Sequence, residues 1–208
     1  MSRETASSSP GLSPAARRLY LITPFRPDLD EFLTAAVRGG VDLVQLRDKR
    51  VPDRELLRHV EAARAVTRAL GVPLVVNDRS DLALLGDADA VHVGKDDLPV
   101  ESVRRLGLSV GLSTHAPAEI DEADADYIGV GPVFATPTKP GRPATGLDLV
   151  RYAAAHARIP WFAIGGIDAA NVADVVEAGA RRIAVVRAVG EADDPERAAR
   201  ELRAALPA

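Results

Sequence analysis

Along this chain, short apolar runs alternate with longer segments whose apolar positions recur every three to four residues. The short runs are Arg18–Thr23, Asp42–Arg47, Pro73–Val76, Ala90–Val93, Ser109–Leu112, Tyr127–Val130, Trp161–Ile164 and Arg182–Val186. Several of them (LVV, AVHV, IGV, IAVV) are almost wholly apolar. That is the composition of a parallel strand covered on both faces. Among the longer segments Arg54–Leu70 is the clearest. Leu56, Leu57, Val60, Ala63, Val66 and Leu70 share one stripe, with Arg58, Glu61, Arg64 and Arg68 off it. Asp53 is placed to cap its start and Gly71 to end it. A further helix is expected from near Leu147, with apolar positions at Leu149, Val150, Ala153 and Ala154. The last helix opens with Asp194 as cap and Pro195 in its first turn, and should bury Ala198, Ala199, Leu202 and Leu206.

Eight strands, each followed by a helix, predict an α/β fold, a (β/α)₈ TIM barrel. A doubly wound open sheet is the alternative, but its GxGxxG turn is missing: the first strand runs into TPFRPD. The chain has 208 residues, whereas such barrels are typically nearer ~250. The barrel must therefore be compact, with short loops. The opening MSRETASSSPGLSP has no apolar stretch and is not a secretory signal. Its Ser and Pro content predicts a disordered tail over residues 1–15, with a single catalytic barrel domain over 16–208.

Composition then removes several classes of function. The formal net charge of -4 supplies no basic field for nucleic acid. There are no cysteines, so disulfides and thiolate metal sites are excluded, which fits a reducing cytoplasm. No apolar run approaches the roughly 18 residues of a membrane span. A homo-oligomer is compatible with the sequence.

In a barrel of this kind the chemistry lies at the C-terminal ends of the strands. The second strand ends Gln45-Leu46-Arg47-Asp48-Lys49, and alternation puts Gln45, Arg47 and Lys49 on one side, where a charged ligand would justify them. The third ends Asn77-Asp78 and the fourth runs His92-Val93-Gly94-Lys95-Asp96-Asp97. Asp78 and Asp97 from neighbouring strands can hold Mg²⁺, an ion that takes one or two carboxylates plus phosphates and water. Helix capping is the competing use of both, and Asp81 and Asp96 are alternative ligands. The fifth strand ends Ser113-Thr114-His115. The sixth enters Gly131–Gly146, GPVFATPTKPGRPATG, a proline- and glycine-rich loop in which Thr136, Thr138 and Lys139 suit a phosphate or pyrophosphate. Gly165-Gly166 ends the seventh strand, with Asp168 expected to cap the next helix. Val186-Arg187 ends the eighth. Loops after strands seven and eight are the usual phosphate site of a barrel. His92 reads equally as a core histidine or a site residue, and Trp161 and Phe162 read as packing.

Taken in order, LYLIT, VQLRDK, VVNDRSDLAL, HVGKDDLP, GLSTH, YIGVGPVFATPTK and AIGGI resemble the thiamine-phosphate synthase family over roughly Arg18 to Leu206. The resemblance implies a (β/α)₈ barrel that joins 4-amino-2-methyl-5-(diphosphooxymethyl)pyrimidine to a thiazole phosphate, with Mg²⁺ and release of pyrophosphate. Carried residue by residue, it assigns the pyrimidine diphosphate to Gln45, Leu46, Arg47, Asp48 and Lys49 with Asn77, Ser113 and Lys139. It assigns Mg²⁺ to Asp78 and Asp97. It assigns the thiazole phosphate to Thr136, Pro137, Thr138, Gly166 and the backbone of Val186 and Arg187. Arg47, Lys49, Ser113 and Lys139 would act in catalysis. The sequence departs from the family pattern at Thr23-Pro24, where an aspartate is usual, and at Arg187, where serine is common. Competing readings are the related thiazole tautomerase, with His115 as acid or base, and a non-catalytic sensor of thiazole phosphate.

Overall fold

The computed structural model describes residues 12–136 and 143–207. Eight parallel strands close into a barrel in sequence order. They are β1 (Leu19–Thr23), β2 (Leu43–Leu46), β3 (Leu74–Asn77), β4 (Ala90–Val93), β5 (Ser109–Thr114), β6 (Tyr127–Val130), β7 (Trp161–Ile164) and β8 (Ile183–Val185). The helices around them are α1 (Leu29–Arg38), α2 (Asp53–Leu70), α3 (Ser80–Leu85), α4 (Val100–Arg104), α5 (Pro117–Asp121), α6 (Gly146–His156), α7 (Val172–Glu177), α8 (Arg187–Gly190) and α9 (Pro195–Ala205). The expected (β/α)₈ architecture is the one observed, and each strand falls within a residue or two of its apolar run.

The two faces of the barrel wall carry two cores. Residues pointing outward, among them Leu21, Val44, Leu46, Val76 and Val91, pack against the helices. Tyr20, Leu43, Val75, Ala90, Tyr127, Phe162 and Ala184 fill the interior. Tyr20, Tyr127 and Phe162 meet edge to face, their ring centroids 5.3–6.0 Å apart. Such rings fit because small residues face them. A side chain at Gly111 would overlap the Tyr127 ring and come within 2.5 Å of His92 Nδ1. Phe162 is therefore packing, as is the 9% exposed Trp161 on the outer face.

Three aspartates staple the lower rim. Asp42, just before β2, accepts N–H bonds from Arg18 and Leu19 at the start of β1. Asp89 does the same for Leu74 of β3, and Asp126 for Val110 of β5. Each carboxylate satisfies an N–H that has no ladder partner at the strand's beginning. Ahead of β1, Pro14–Ala16 form a 3₁₀ turn and Leu12 packs against the interior cluster. The boundary expected at residue 15 falls within this turn. The rest of the expected tail, residues 1–11, lies outside the described residues.

Local expectations need four corrections. Arg64 is 7% exposed, not on the polar side of α2: its Nη1 pairs with Asp89 Oδ2 at 2.7 Å. Asp53 does not cap α2, because Pro52 holds that position and the Asp53 carboxylate bonds Arg79. Asp168 does not cap α7 with its side chain. Asn171 is the cap residue, and the Asp168 carboxylate accepts from Ala170 N within the preceding loop. Nor do Asp78 and Asp97 cap helices, since α3 and α4 begin after Arg79 and Pro99. Gly71 does end α2 in the left-handed conformation, and Asp194 accepts from Arg197 N at the start of α9.

Candidate active site

The C-terminal mouth of the barrel collects the polar strand ends. At β2, alternation sets the roles. Leu46 faces the helices and belongs to the outer core, while Gln45 faces the interior, 1% exposed. Arg47 is half-buried, and its guanidinium makes no ion pair with the described residues. Lys49 is half-exposed and pairs with Asp78 of the β3 end at 2.8 Å. Asp48 points its carboxylate at His59 on α2, Oδ2 to Nδ1 2.9 Å. A carboxylate beside a diphosphate would repel it, so this outward anchoring keeps Arg47 and Lys49 the dominant charges of the segment.

A line of hydrogen bonds crosses the barrel beneath this cation pair. Gln45 Nε2 donates to Tyr20 OH at 2.5 Å, Tyr20 and Tyr127 hydroxyls lie 2.9 Å apart, Tyr127 OH is 3.2 Å from His92 Nδ1, and His92 Nε2 is 3.0 Å from Ser113 Oγ. The amide starts as a donor, so one ordering satisfies each member. Tyr20 donates to Tyr127, Tyr127 to His92 Nδ1, and the Nε2–H of His92 to Ser113. In that ordering the Ser113 hydroxyl accepts from His92 and keeps its own hydrogen to donate. Burial pushes both phenols well above the ordinary tyrosine range, so they stay neutral and able to donate. His92 is thus an interior histidine that also holds a site residue. Neither buried tyrosine stands out in an apolar run, although a phenol inside a barrel always needs a partner.

Asn77 ends β3 next to His92 in register. Asp78 follows in the left-handed region (φ 62°), its N–H bonded to the His92 carbonyl at 2.8 Å. Asp97 Oδ2 accepts the Gly94 N–H at 2.7 Å. These are two hard oxygen donors from neighbouring strand ends, few enough to leave coordination positions for water and phosphate. That donor set fits Mg²⁺. Asp81 is a poorer ligand, since its carboxylate is already paired with the Arg79 guanidinium at 2.7 Å.

Opposite the metal-ligand candidates, a cavity of about 400 Å³ opens between the ends of β7 and β8, lined by Thr136, Gly165, Gly166, Asp168, Val186 and Arg187 among others. Gly165 and Gly166 have φ of 105° and 65°, conformations that favour glycine, and a Cβ at either would press on Pro132 or Phe134. The bare backbone therefore faces the cavity, and Asn171 Nδ2 fixes the loop by donating to the Gly166 carbonyl at 2.8 Å. Arg187 is exposed, 4.0 Å from Glu191. Pro137, Thr138 and Lys139 lie outside the described residues. His115 is tied to scaffold: its N–H donates to Glu119 and its Nδ1 bonds the Gly131 carbonyl.

Cations at β2, a buried chain ending on Ser113 and a bare-backbone cradle at β7–β8 make the barrel mouth a candidate site for small anionic molecules. The family model of thiamine monophosphate synthase matches residues 19–189. Thiamine-phosphate synthase of Streptomyces avermitilis is 51% identical over 198 residues, 90% of this chain and 92% of that protein. Its counterpart in an Arthrobacter species is 49% identical over 224 residues, 92% of this chain and 94% of that protein. Among solved structures, thiamine phosphate pyrophosphorylase from Pyrococcus furiosus superposes with a TM-score of 0.83 at 36% identity, covering 90% of this chain and 94% of the other. The chain belongs to the thiamine monophosphate synthase family, and is a transferase of thiamine biosynthesis. Among the described residues, no helix is long and apolar enough to cross a membrane.

Proposed function

We propose that the chain joins 4-amino-2-methyl-5-(diphosphooxymethyl)pyrimidine to hydroxyethylthiazole phosphate, or its carboxylated form, releasing pyrophosphate. The observation that carries this reading is that one mouth offers two separate sets of groups suited to anions. One is cationic, from Arg47 and Lys49; the other is backbone, from Gly165, Gly166 and the β8 end. A diphosphate and a monophosphate make unequal demands that match them. The diphosphate carries more charge and gains most from cations, whereas the monophosphate suits N–H donors.

In the reaction, the bond between the pyrimidine methylene and the diphosphate oxygen breaks, and its electron pair leaves with pyrophosphate. The resulting cation is stabilised by the electron-rich pyrimidine. The thiazole nitrogen then donates its lone pair to that carbon, forming the C–N bond. Arg47 and Lys49 hold the leaving group and offset its growing charge, and Ser113 offers it a directed hydroxyl. The β7–β8 cradle fixes the thiazole by its phosphate, so that its nitrogen faces the methylene. Asp78 and Asp97 would hold Mg²⁺, which when bound supplies further charge to the departing pyrophosphate. Lys139, outside the described residues, would add a third cation. No side-chain nucleophile is needed. Retention of the diphosphate cations favours the synthase over the thiazole tautomerase, as do the names of the relatives. A cysteine-free chain of this activity belongs in the cytoplasm.

Calorimetry tests the two-site reading. Pyrophosphate with Mg²⁺, and thiazole phosphate, should each bind once, and saturation with either should leave the other's site open. Mutual exclusion would refute it.

A further inference from the structure

His59 has no place in this mechanism, yet it sits where two loops of the mouth meet. It lies on α2, nearly two turns inside the helix and only 12% exposed at its side chain. Its Nδ1 is 2.9 Å from Asp48 Oδ2 on the loop after β2. Its ring stacks on Phe25, of the loop after β1, at 3.9 Å between centroids and 4° between planes. On its own helix Glu55 approaches Nε2 at 3.8 Å. The Phe25 loop is held on its far side as well, where Arg26 Nη1 donates to the Gly190 carbonyl of α8 at 3.2 Å. His59 is thus the inner pin of a loop that runs from the cationic group to the phosphate cradle.

We propose that His59 is a positioning residue for the diphosphate cations, acting through Asp48. Asp48 stands between Arg47 and Lys49 in the chain. While it bonds His59 it faces α2, and adds no carboxylate to Arg47, or to Lys49 beyond the Asp78 pairing. Released, it is a mobile carboxylate within reach of two neighbouring cations, and any pairing it makes competes with diphosphate. The effect is confined to one substrate, since the β7–β8 cradle shares no residue with this cluster. This inference rests on the functional reading above for which ligand the cations serve.

Two substitutions separate the contacts of His59. His59→Asn keeps a donor near the Nδ1 position and removes the ring; His59→Phe keeps the stack and removes the donor. The expected result is that His59→Phe raises KM for the pyrimidine diphosphate about tenfold, the worth of one charge-assisted hydrogen bond. Its kcat and its KM for thiazole phosphate should stay near those of the unaltered chain. His59→Asn should restore the diphosphate KM even if its melting temperature falls. In an Asp48→Ala background, His59→Phe should add nothing further. Equal changes in both KM values, or a KM that follows melting temperature across the two variants, would overturn the proposal. Titration of inorganic pyrophosphate with Mg²⁺ provides the same comparison without turnover. Failure of the unaltered chain to consume the diphosphate would therefore sink the functional reading while His59 is still tested.

Discussion

Lys49→Ala tests the division of labour at the mouth. The Lys49 ammonium is 2.8 Å from Asp78, and its side chain is 49% exposed. At 4 Å, two unit charges attract by about 1 kcal/mol in water and about 4 kcal/mol in partly shielded surroundings. Half-exposure places Lys49 near the lower figure, and the interaction with Asp78 that it gives up to bind a ligand reduces the gain further. A loss of about 1 kcal/mol or less corresponds to a rise in KM for the pyrimidine diphosphate of up to about fivefold. The thiazole phosphate should be bound as before, since its cradle lies at β7–β8. Removing Lys49 also frees Asp78, so the variant without substrates should bind Mg²⁺ more tightly than the unaltered chain. Initial rates with each substrate varied in turn, and Mg²⁺ titration by calorimetry, read these effects separately. Equal increases in both KM values would refute the assignment, and unchanged Mg²⁺ affinity would remove Asp78 from the metal site.

Other expectations follow from single contacts. Asp97→Asn should keep the fold and raise the Mg²⁺ concentration needed for half-maximal rate, measured by metal titration of turnover. Gly111→Ala should drive a methyl into Tyr127 and His92, cost about 1–3 kcal/mol by overpacking, and lower kcat by displacing Ser113; thermal melts and initial rates check both. Arg64→Ala leaves the buried Asp89 carboxylate without its cation and should cost about 3 kcal/mol, lowering the melting temperature by roughly 10 °C in calorimetry. Burial raises the pKa of Tyr20 and Tyr127 above the ordinary ~10. The stability this gives is complete below that value and is lost as pH rises through the higher folded-state pKa. Ultraviolet titration should therefore show these two phenols ionising only as the barrel unfolds in alkali.

Much of this was legible in the sequence because it depends on local period. Continuous apolar runs mark strands covered on both faces, and alternation at the end of β2 separates Gln45, in the barrel interior, from Leu46 and Asp48, which turn toward the helices. Gly165-Gly166 could be read as a cradle because a backbone approach needs glycine. What the sequence hides is pairing across the barrel. Arg64 reads as surface until Asp89 is placed beside it, 25 positions away. Tyr20 and Tyr127, 107 positions apart, look like ordinary strand aromatics until closure joins their hydroxyls. Asp48 and His59 come together only because α2 folds back over its own strand. Capping fails for a related reason: Asp53 and Asp168 sit near helix starts, but nearby N–H and guanidinium donors claim their carboxylates.

The central claim is that one mouth brings a diphosphate leaving group and a phosphate-anchored nucleophile together. Its most direct measurement is the release of pyrophosphate and the formation of thiamine phosphate in the same reaction, with each substrate and Mg²⁺ omitted in turn. The account predicts one pyrophosphate for each thiamine phosphate formed, and no thiamine phosphate when either substrate is left out. Isomerisation of the thiazole phosphate alone, or tight binding of it with no product when all components are present, would contradict it.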